Sequence, residues 1–237
     1  MPVVWPNLKR RDRVGELMDD PSLPKAEHAR ALRGLRRINA VSRTPQTLFK
    51  RLRELMGDDR DQPRRILDVA CGDGDNTIRL ARLAQRDGLP WRVLGCDISE
   101  RSVVFARRLA ERRGVEAHFF RADALGDLEP QGYDAVVNAL FLHHLDDAQI
   151  VELLGRLRQA KCVVISDLVR SGFAYGVTLA GVRLLSRSGV VHVDGPRSVR
   201  AALTRSELSR LASEAGMNDA AIESSWPMRQ LLVWSRS

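Results

Sequence analysis

A run of apolar residues that ends in a glycine turn offers the first place for chemistry. Residues 66–74 read Ile-Leu-Asp-Val-Ala-Cys-Gly-Asp-Gly, which predicts a buried strand and a tight turn into a helix. Glycines there would let a ligand touch the backbone at the end of the strand. The turn has Thr77 where a dinucleotide site needs a third glycine, and it lacks a phosphate loop's Gly-Lys-Ser/Thr. A plain strand-to-helix turn without a ligand stays open.

Acidic residues in this turn indicate the charge of the ligand. Asp73 and Asp75 lie beside Asp68. Three carboxylates repel a phosphate and favour a ligand with cationic groups. A nucleoside that carries a sulfonium and a free amino group fits this pattern.

Two more acids follow the next strands. Asp97 comes 23 residues after Gly74, where a carboxylate accepts hydrogen bonds from both hydroxyls of a ribose. Its alternative role, capping the next helix, is disfavoured because Ser99 is available for that. Asp123 is predicted to accept from the amine of adenine, with an ordinary turn aspartate as the alternative.

The elements that position these residues alternate between strand and helix. This alternation predicts an α/β fold with a mostly parallel, doubly wound sheet covered by helices on both faces. The predicted strands are 66–70, 91–96, 117–121, 135–139 and 162–166, and the predicted helices between them are 76–85, 100–113 and 147–159.

The C-terminal part departs from this rhythm. The spacing of Phe173, Val177, Ala180 and Leu184 predicts a helix, and residues 189–200 are predicted to be a loop. We expect residues 168–200 to be an insertion on the substrate side. After it, a Thr-x-x-Glu capping box opens a helix that runs to residue 215, and strands 221–225 and 230–234 form an antiparallel hairpin.

The N-terminal part is predicted to be an appendage. Residues 1–24 are expected to form an extended arm, followed by a helix from Lys25 and by a second helix after Thr44, the expected N-cap. The predicted domain organisation is an arm and helical cap in residues 1–60 and a ligand-binding domain in residues 61–237.

Composition restricts the class of protein. The chain has 237 residues, of which 44% are hydrophobic and 29% charged, as expected for one α/β domain with appendages. No stretch approaches the roughly 20 apolar residues of a membrane helix, and charges in the first thirty residues are unlike a signal peptide. We therefore expect a cytoplasmic protein. Cys71, Cys96 and Cys162 lack metal-ligand spacing and are expected to be buried, reduced thiols.

Charge is the other informative property. The chain has 38 basic and 30 acidic residues, with 14 basic and 8 acidic among the first sixty. This excess favours an anionic substrate, an acidic partner or a membrane surface, and a role in solubility alone remains an alternative. Aromatic residues make up only 5% and are not interleaved with basic clusters, so an RNA-stacking surface is poorly supported.

With these motifs in order, the chain resembles the class I S-adenosylmethionine-dependent methyltransferases. The resemblance covers residues 66–167 and includes Ala-Asp-Ala at 122–124, Tyr-Asp-Ala-Val-Val-Asn at 133–138 and Leu-His-His-Leu at 142–145. It implies a Rossmann-like fold and S-adenosylmethionine as the methyl donor, with no metal.

The resemblance also implies roles for individual residues. It places one group of residues at the methionine part of the donor, a second group at its nucleoside, and Asn138 behind its sulfonium. The methionine group is Asp68, Ala70, Gly72 and Gly74, and the nucleoside group is Asp97, Ile98, Asp123 and Ala124. Ala70 departs from the glycine that commonly begins this motif.

Acceptor chemistry is indicated by histidines near the same sheet edge. In similar small-molecule methyltransferases, a His-His pair and an Asp after the fifth strand border the acceptor. We expect His143 or His144 to be the general base and Asp167 to orient an imidazole or hold the acceptor. The alternative is that one histidine only caps or packs the next helix. His192 is predicted in a loop, at the surface or closing over substrate, while His28 and His118 are interpreted as structural.

The closing Trp226–Trp234 segment and the N-terminal helices look like the branch that acts on quinones, phenols and polyketides. The expected reaction is methyl transfer to a hydroxyl of such a small molecule, giving S-adenosylhomocysteine (SAH). C-methylation, RNA methylation and non-catalytic binding of S-adenosylmethionine are the alternatives. An anionic or hydrophobic acceptor and peripheral membrane contact stay open, and no nucleic-acid partner is expected because Asn138 does not begin an Asn-Pro-Pro motif. The oligomeric state is left open.

Overall fold

The computed structural model describes residues 6–20 and 22–236. In this part of the chain, seven strands form a sheet in the order β3-β2-β1-β4-β5-β7-β6. The strands are β1 (Arg64–Val69), β2 (Trp91–Asp97), β3 (His118–Arg121), β4 (Ala135–Ala139), β5 (Cys162–Leu168), β6 (Ala221–Ser225) and β7 (Arg229–Ser235). Strands β1 to β5 are parallel, and β7 pairs antiparallel with both β5 and β6. The predicted α/β sheet with its C-terminal hairpin is confirmed.

Eight helices accompany the sheet within the described residues. They are α1 (Lys25–Ser42), α2 (Thr44–Met56), α3 (Asp75–Arg86), α4 (Glu100–Arg113), α5 (Asp147–Leu157), α6 (Gly172–Leu185), α7 (Gly189–Ala201) and α8 (Arg205–Glu214). Short 3-10 helices span Leu17–Asp19 and Leu142–His144. The Thr204–Glu207 capping box that begins α8 is present as the sequence predicts.

Apolar side chains fill both faces of the sheet. On one face, α2, α3 and α4 bury residues such as Leu52, Ile78 and Val103 against the strands. On the other face, α5 and α8 bury residues such as Leu153 and Leu208. Both faces are covered, so the functional residues are left at the strand ends.

The strand order reverses beside β1. The chain passes from β1 outward to β2 and β3, then returns to β4 on the other side of β1. The register aligns Val69 of β1 with Cys96 of β2 and with Asn138 of β4. Because ligands of such sheets bind at the carboxyl ends of the strands where the order reverses, this edge is where a site should form.

The prediction of a loop over residues 189–200 is wrong. These residues form α7, although Gly195 and Pro196 lie inside it. A side-chain carbon at Gly195 would come within 2.6 Å of Val182 on α6, so glycine allows the two helices to approach closely. Burial of Val191 and Val199 on this helix outweighs its weak helical propensity.

The other appendages largely follow prediction. The arm has no helix or strand in residues 6–16 and makes a turn at residues 8–9, whereas residues 1–5 and 21 lie outside the described part. Thr44 is the first residue of α2 and not its N-cap, since Arg43 holds that position. The α2 helix packs on the sheet, whereas α1 packs on α6 and α7.

Among the three free cysteines, Cys96 and Cys162 are buried as expected, while Cys71 is only partly buried. Burial raises the pKa of the Cys96 and Cys162 thiols to about 12. These two side chains are therefore protonated packing groups at neutral pH. Among the described helices, none is both long and apolar enough to cross a membrane.

Candidate active site

The glycine turn after β1 has the backbone shape that its sequence predicts. Ala70, Gly72 and Gly74 all have positive φ, at 52°, 54° and 76°. The backbone N–H of Gly74 donates to the carbonyl of Cys71 over 3.0 Å, which closes the turn. A side-chain carbon at Gly72 would meet nothing within 4 Å, so open space lies beside the turn.

Asp97 holds this turn against the end of β2. One carboxylate oxygen accepts from the backbone N–H of Gly72 at 2.8 Å, and the other accepts from the N–H of Ser99 at 2.9 Å. Ser99 is the N-cap of α4, accepting from the N–H of Ser102. Ser99, and not Asp97, is therefore the cap of α4. Asp97 borders the cavity that is described below.

Asp68 is buried beneath the turn. It accepts a hydrogen bond of 2.6 Å from the hydroxyl of Thr77. Burial raises the pKa of Asp68 to about 7, more than the Thr77 hydrogen bond lowers it. Thr77, whose presence argues against a dinucleotide site, thus donates a hydrogen bond to a carboxyl group whose pKa is about 7.

The expected group of three acids needs a correction at Asp75. This side chain is buried and forms ion pairs with Arg79 and Arg113, each at 2.8 Å. Its charge is neutralised within the protein and is not presented to a ligand. Of the three carboxylates, Asp73 borders the cavity and Asp68 lies behind its wall.

The segment after β3 turns toward the same cavity. Asp123 accepts from the N–H of Leu125 at 2.9 Å, and Ala122, Asp123 and Ala124 all line the cavity. Ile98, after β2, lines it too and is 59% exposed. An exposed apolar side chain beside two carboxylates fits a nucleoside, whose base can cover the apolar group while its polar edges meet the acids.

Asn138 at the end of β4 lies behind the turn. Its side-chain amide donates to the carbonyl of Val69 over 2.6 Å. The other amide atom, Oδ1, is buried and has no hydrogen-bond partner among the described residues. Asn138 therefore fastens the ends of β1 and β4 together, with one acceptor left over.

His143 is a buried cation held between two acids. Its Nδ1 lies 2.7 Å from one carboxylate oxygen of Asp167, and the other oxygen of that carboxylate accepts from the backbone N–H of His143. Its Nε2 lies 3.6 Å from Glu16 of the arm. Burial lowers the pKa of this imidazole, but the charge and hydrogen bond of Asp167, with help from Glu16, outweigh burial and raise the pKa to about 9.

His144, in contrast, is exposed and borders the cavity. Its ring centroid lies 4.3 Å from that of His143 and 6.4 Å from that of Phe141. The Leu142–His144 3-10 helix thus turns one histidine into the protein and the next toward the cavity.

Arginines of the arm fasten it over this histidine segment. Arg11 donates to the carbonyl of Leu145 at 2.9 Å and to that of Ala201 at 2.9 Å, and Arg13 donates to the carbonyl of His144 at 3.2 Å. Together with Glu16, these contacts make the arm part of the site. Sequence reasoning missed them, because each joins residues more than a hundred positions apart.

The cavity has a volume of about 1330 Å³, which exceeds the size of a typical small-ligand pocket. Its lining includes the glycine turn, the acids after β2 and β3 and His144, together with apolar residues of the cap such as Met18, Leu23 and Leu32. Two predictions about histidines need correction here. His28, interpreted as structural, lines the cavity. His192, predicted in a loop, lies in α7, and its Nε2 is 2.8 Å from the carbonyl oxygen of Ser186.

One donor set in the site has the composition of metal ligands. Glu16, His143 and His144 bring a carboxylate oxygen and two ring nitrogens within 4.8 Å of one another. At neutral pH, His143 is protonated, and a metal ion would have to displace that proton. In the structure, Glu16 and His143 form an ion pair at 3.6 Å.

Seven of the twelve predicted site residues line the cavity: Ala70, Gly72, Asp97, Ile98, Asp123, Ala124 and His144. The other five support this wall from within: Asp68, Gly74, Asn138, His143 and Asp167. A doubly wound sheet with a glycine turn, an acid after β2 and an imidazole lining the same cavity is an arrangement that can hold a nucleoside beside a proton acceptor.

Comparison with known proteins finds a methyltransferase domain within the chain. Residues 66–160 match the family described as methyltransferase domain. The demethylmenaquinone methyltransferase of Thermus thermophilus is 38% identical over 96 residues, which cover 40% of this chain and 41% of that protein. The matched segment is thus similar to a methyltransferase domain, and the sheet around it has the fold of the class I S-adenosylmethionine-dependent methyltransferases.

Further relatives extend the comparison. The ubiquinone biosynthesis O-methyltransferase of Nitrosococcus oceani is 29% identical over 128 residues, covering 52% of each chain. The magnesium protoporphyrin IX methyltransferase of Synechocystis, solved with bound SAH, has a TM-score of 0.56 at 19% identity and covers 84% of this chain and 87% of that chain. The chain spans about half the length of the two sequence relatives that it matches.

Proposed function

We propose that the protein transfers a methyl group from S-adenosylmethionine to a hydroxyl of a small aromatic, quinone-like or polyketide-like molecule. One observation carries this proposal: His144 borders the same cavity as Gly72, Asp97 and Asp123. A proton acceptor and the proposed donor-binding residues thus line one cavity. The donor supplies an electrophilic methyl group on a sulfonium.

The donor-binding wall orients the nucleoside. In this proposal Asp97 accepts from the ribose hydroxyls while its hydrogen bond to Gly72 keeps the turn open. Asp123 accepts from the adenine amine, and Ile98 packs on the base. Asp68, Gly74 and Asn138 hold the strand ends behind the methionine part.

His144 is the proposed general base, removing the proton from the acceptor hydroxyl. His143 is a poor base because it is already protonated at neutral pH. We assign to His143 and Asp167 a positioning role, since their contact fixes the 3-10 helix that carries His144. Apolar cap residues exclude water from the acceptor and so favour transfer to it.

The two sequence relatives support a quinone-like acceptor, since one is named a demethylmenaquinone methyltransferase and the other a ubiquinone biosynthesis O-methyltransferase. The test is incubation of the purified protein with S-adenosylmethionine and a panel of phenols and hydroquinones, with products analysed by mass and by NMR. We expect products that gain one methyl group on oxygen. A methyl group on ring carbon would support the C-methylation alternative instead.

Two further outcomes separate the remaining alternatives. Donor binding without turnover of any acceptor would indicate a non-catalytic binding protein. Tight binding of RNA that weakens steeply with salt, with methylated RNA as product, would indicate an RNA methyltransferase.

A further inference from the structure

The helix α6 presents an apolar face to solvent. Phe173 is 72% exposed, Val177 37% and Leu184 84%, and Ala180 is exposed between them. Their spacing of four, three and four residues places them on one side of the helix. We call these four residues the α6 stripe.

The α6 stripe is exposed because α6 packs against the protein through its other side. The opposite side of the helix buries Ala174, Tyr175 and Val182. Gly195 of α7 comes so close to Val182 that a side-chain carbon there would lie 2.6 Å away. With that side of the helix fixed, the stripe cannot turn inward, so its exposure is a property of the fold. Contiguous exposed apolar residues of this kind indicate an interaction surface.

The segments around the stripe are rich in basic residues, although two of them, Arg197 and Arg200, form ion pairs with Asp194 and Asp12. Helix α1 and residues 172–201 together contain nine basic and two acidic residues. One of the two acids, Asp194, is buried and accepts from the backbone N–H groups of Leu17 and Met18. The other, Glu27, lies in the first turn of α1.

Three arginines lie near the C-terminal end of the stripe. Arg37 donates to the carbonyl of Leu185 at 2.7 Å, and Arg183 donates to that of Leu179 at 3.0 Å. Arg187 follows two residues after α6 and is exposed. None of the three forms an ion pair within the described residues, so their charges are available to an external anion.

We infer that the α6 stripe docks the protein on an anionic membrane surface. Apolar side chains would enter the boundary between headgroups and acyl chains while the arginines meet lipid phosphates. A second copy of the chain fits less well, because a symmetric contact would bring the same arginines face to face. With 14 residues, α6 is too short to span a bilayer and suits only a position on its surface.

This docking goes beyond the proposed function and does not require it. The two are connected through α1, which packs on α6 and also lines the cavity with Ala29 and Leu32. A membrane contact at the stripe would therefore lie one helix away from the part of the cavity that α1 lines. An acceptor dissolved in lipid would then be concentrated near that part of the cavity.

The test is co-sedimentation of the full chain with vesicles of phosphatidylcholine alone or mixed with phosphatidylglycerol, at low and high salt. We expect binding to the anionic vesicles that weakens with salt. The double variant Phe173→Ser, Leu184→Ser should lose at least about tenfold in partition, and Arg183→Gln, Arg187→Gln about tenfold at low salt. Matched controls away from the stripe, Trp226→Ser and Arg86→Gln, should bind like the parent protein.

Several results would contradict the inferred membrane contact. Equal binding to neutral and anionic vesicles, binding unchanged in the double serine variant, or no binding to either vesicle would overturn the inference. A dimer of the parent protein that the serine variant converts to a monomer would assign the stripe to a second copy instead. SAH affinity and turnover of a water-soluble phenol, measured without vesicles, test the proposed function separately and should be unchanged in all four variants.

Discussion

Asp167 at the end of β5 and His143 after β4 form a buried ion pair, with 2.7 Å between Oδ1 and Nδ1. Each carries the charge that the other requires: burial alone would raise the pKa of Asp167 and lower that of His143, and the pair reverses both shifts. The pair fastens β5 to the segment that presents His144. Its strength should therefore appear in the stability of the fold as a function of pH.

The first prediction concerns this pair. Because the pKa of His143 rises from 6.5 to about 9 on folding, its contribution is fully present below pH 6.5 and is lost as the pH rises through about 9. Asp167→Asn should destabilise the protein by about 3 kcal/mol at neutral pH and move the alkaline loss of stability toward lower pH. Urea unfolding at several pH values measures both effects.

A control for this prediction is Asp147→Asn, which removes an exposed partner of Arg11 and Arg210. It should cost about 1 kcal/mol or less. If both variants have the same profile between pH 6.5 and pH 9, the charged form of His143 does not stabilise the fold.

A second prediction separates proton transfer from donor binding. His144→Ala should lower kcat by about 100-fold or more, because the base that faces the acceptor is removed. The affinity for SAH, measured by calorimetry, should change less than about twofold. His118→Ala is the control, since His118 is an exposed residue at the start of β3, and it should leave both quantities unchanged. A parallel loss of SAH affinity in His144→Ala would refute the role of His144 as base.

The third prediction uses the two glycines of the turn. A side-chain carbon at Gly74 would lie 2.7 Å from that of Ala106, and φ is 76°. Gly74→Ala should therefore destabilise the fold by about 3 kcal/mol. At Gly72 nothing lies within 4 Å, so Gly72→Ala should cost only about 1 kcal/mol. It should nevertheless weaken SAH binding at least about tenfold, because the methyl group enters the space proposed for the donor.

Thermal unfolding and SAH calorimetry on both variants check this contrast. Unchanged SAH affinity in Gly72→Ala would move the donor away from the turn. A fully stable Gly74→Ala would show that Ala106 and Phe119 can shift to make room.

The fourth prediction is a proton released by Asp68. Since burial raises the pKa of this carboxyl to about 7, about half of the molecules carry the proton at neutral pH. A bound amino group favours the ionised form, so SAH binding should release a fraction of a proton and tighten as the pH rises through 7. Calorimetry in buffers of different ionisation enthalpy measures this release. It should disappear in Asp68→Asn and persist in Asp73→Asn; release from both variants would assign it to another group.

The sequence predicts much of the sheet and of its ligand edge, because local patterns determine them. The bounds of α4 and β4 agree with prediction to the residue, since Ser99 and the glycine at 114 end α4 on either side and β4 is a continuous apolar run. Asp97 and the glycine turn were similarly visible from type and spacing.

The parts that prediction missed depend on distant contacts. Gly195 and Pro196 are typical of a loop, and only the approach of α6 explains why they lie in a helix. The choice between His143 and His144 could not be made from Leu-His-His-Leu alone. The proposed choice of His144 rests on Glu16 and Asp167, which are 127 and 24 positions away from His143 and approach it only in the folded chain.

The arm has a further consequence for how such a protein changes its acceptor. Met18 and Asp20 contribute to the cavity wall from a segment that is joined to the body mainly by side chains such as Arg11 and Glu16. Substitutions at those two wall positions alter the shape and charge next to the incoming molecule without touching a single strand. In the proposed function, acceptor choice and donor recognition would thereby be carried by separate stretches of chain, so that mutation would change one while the other is preserved.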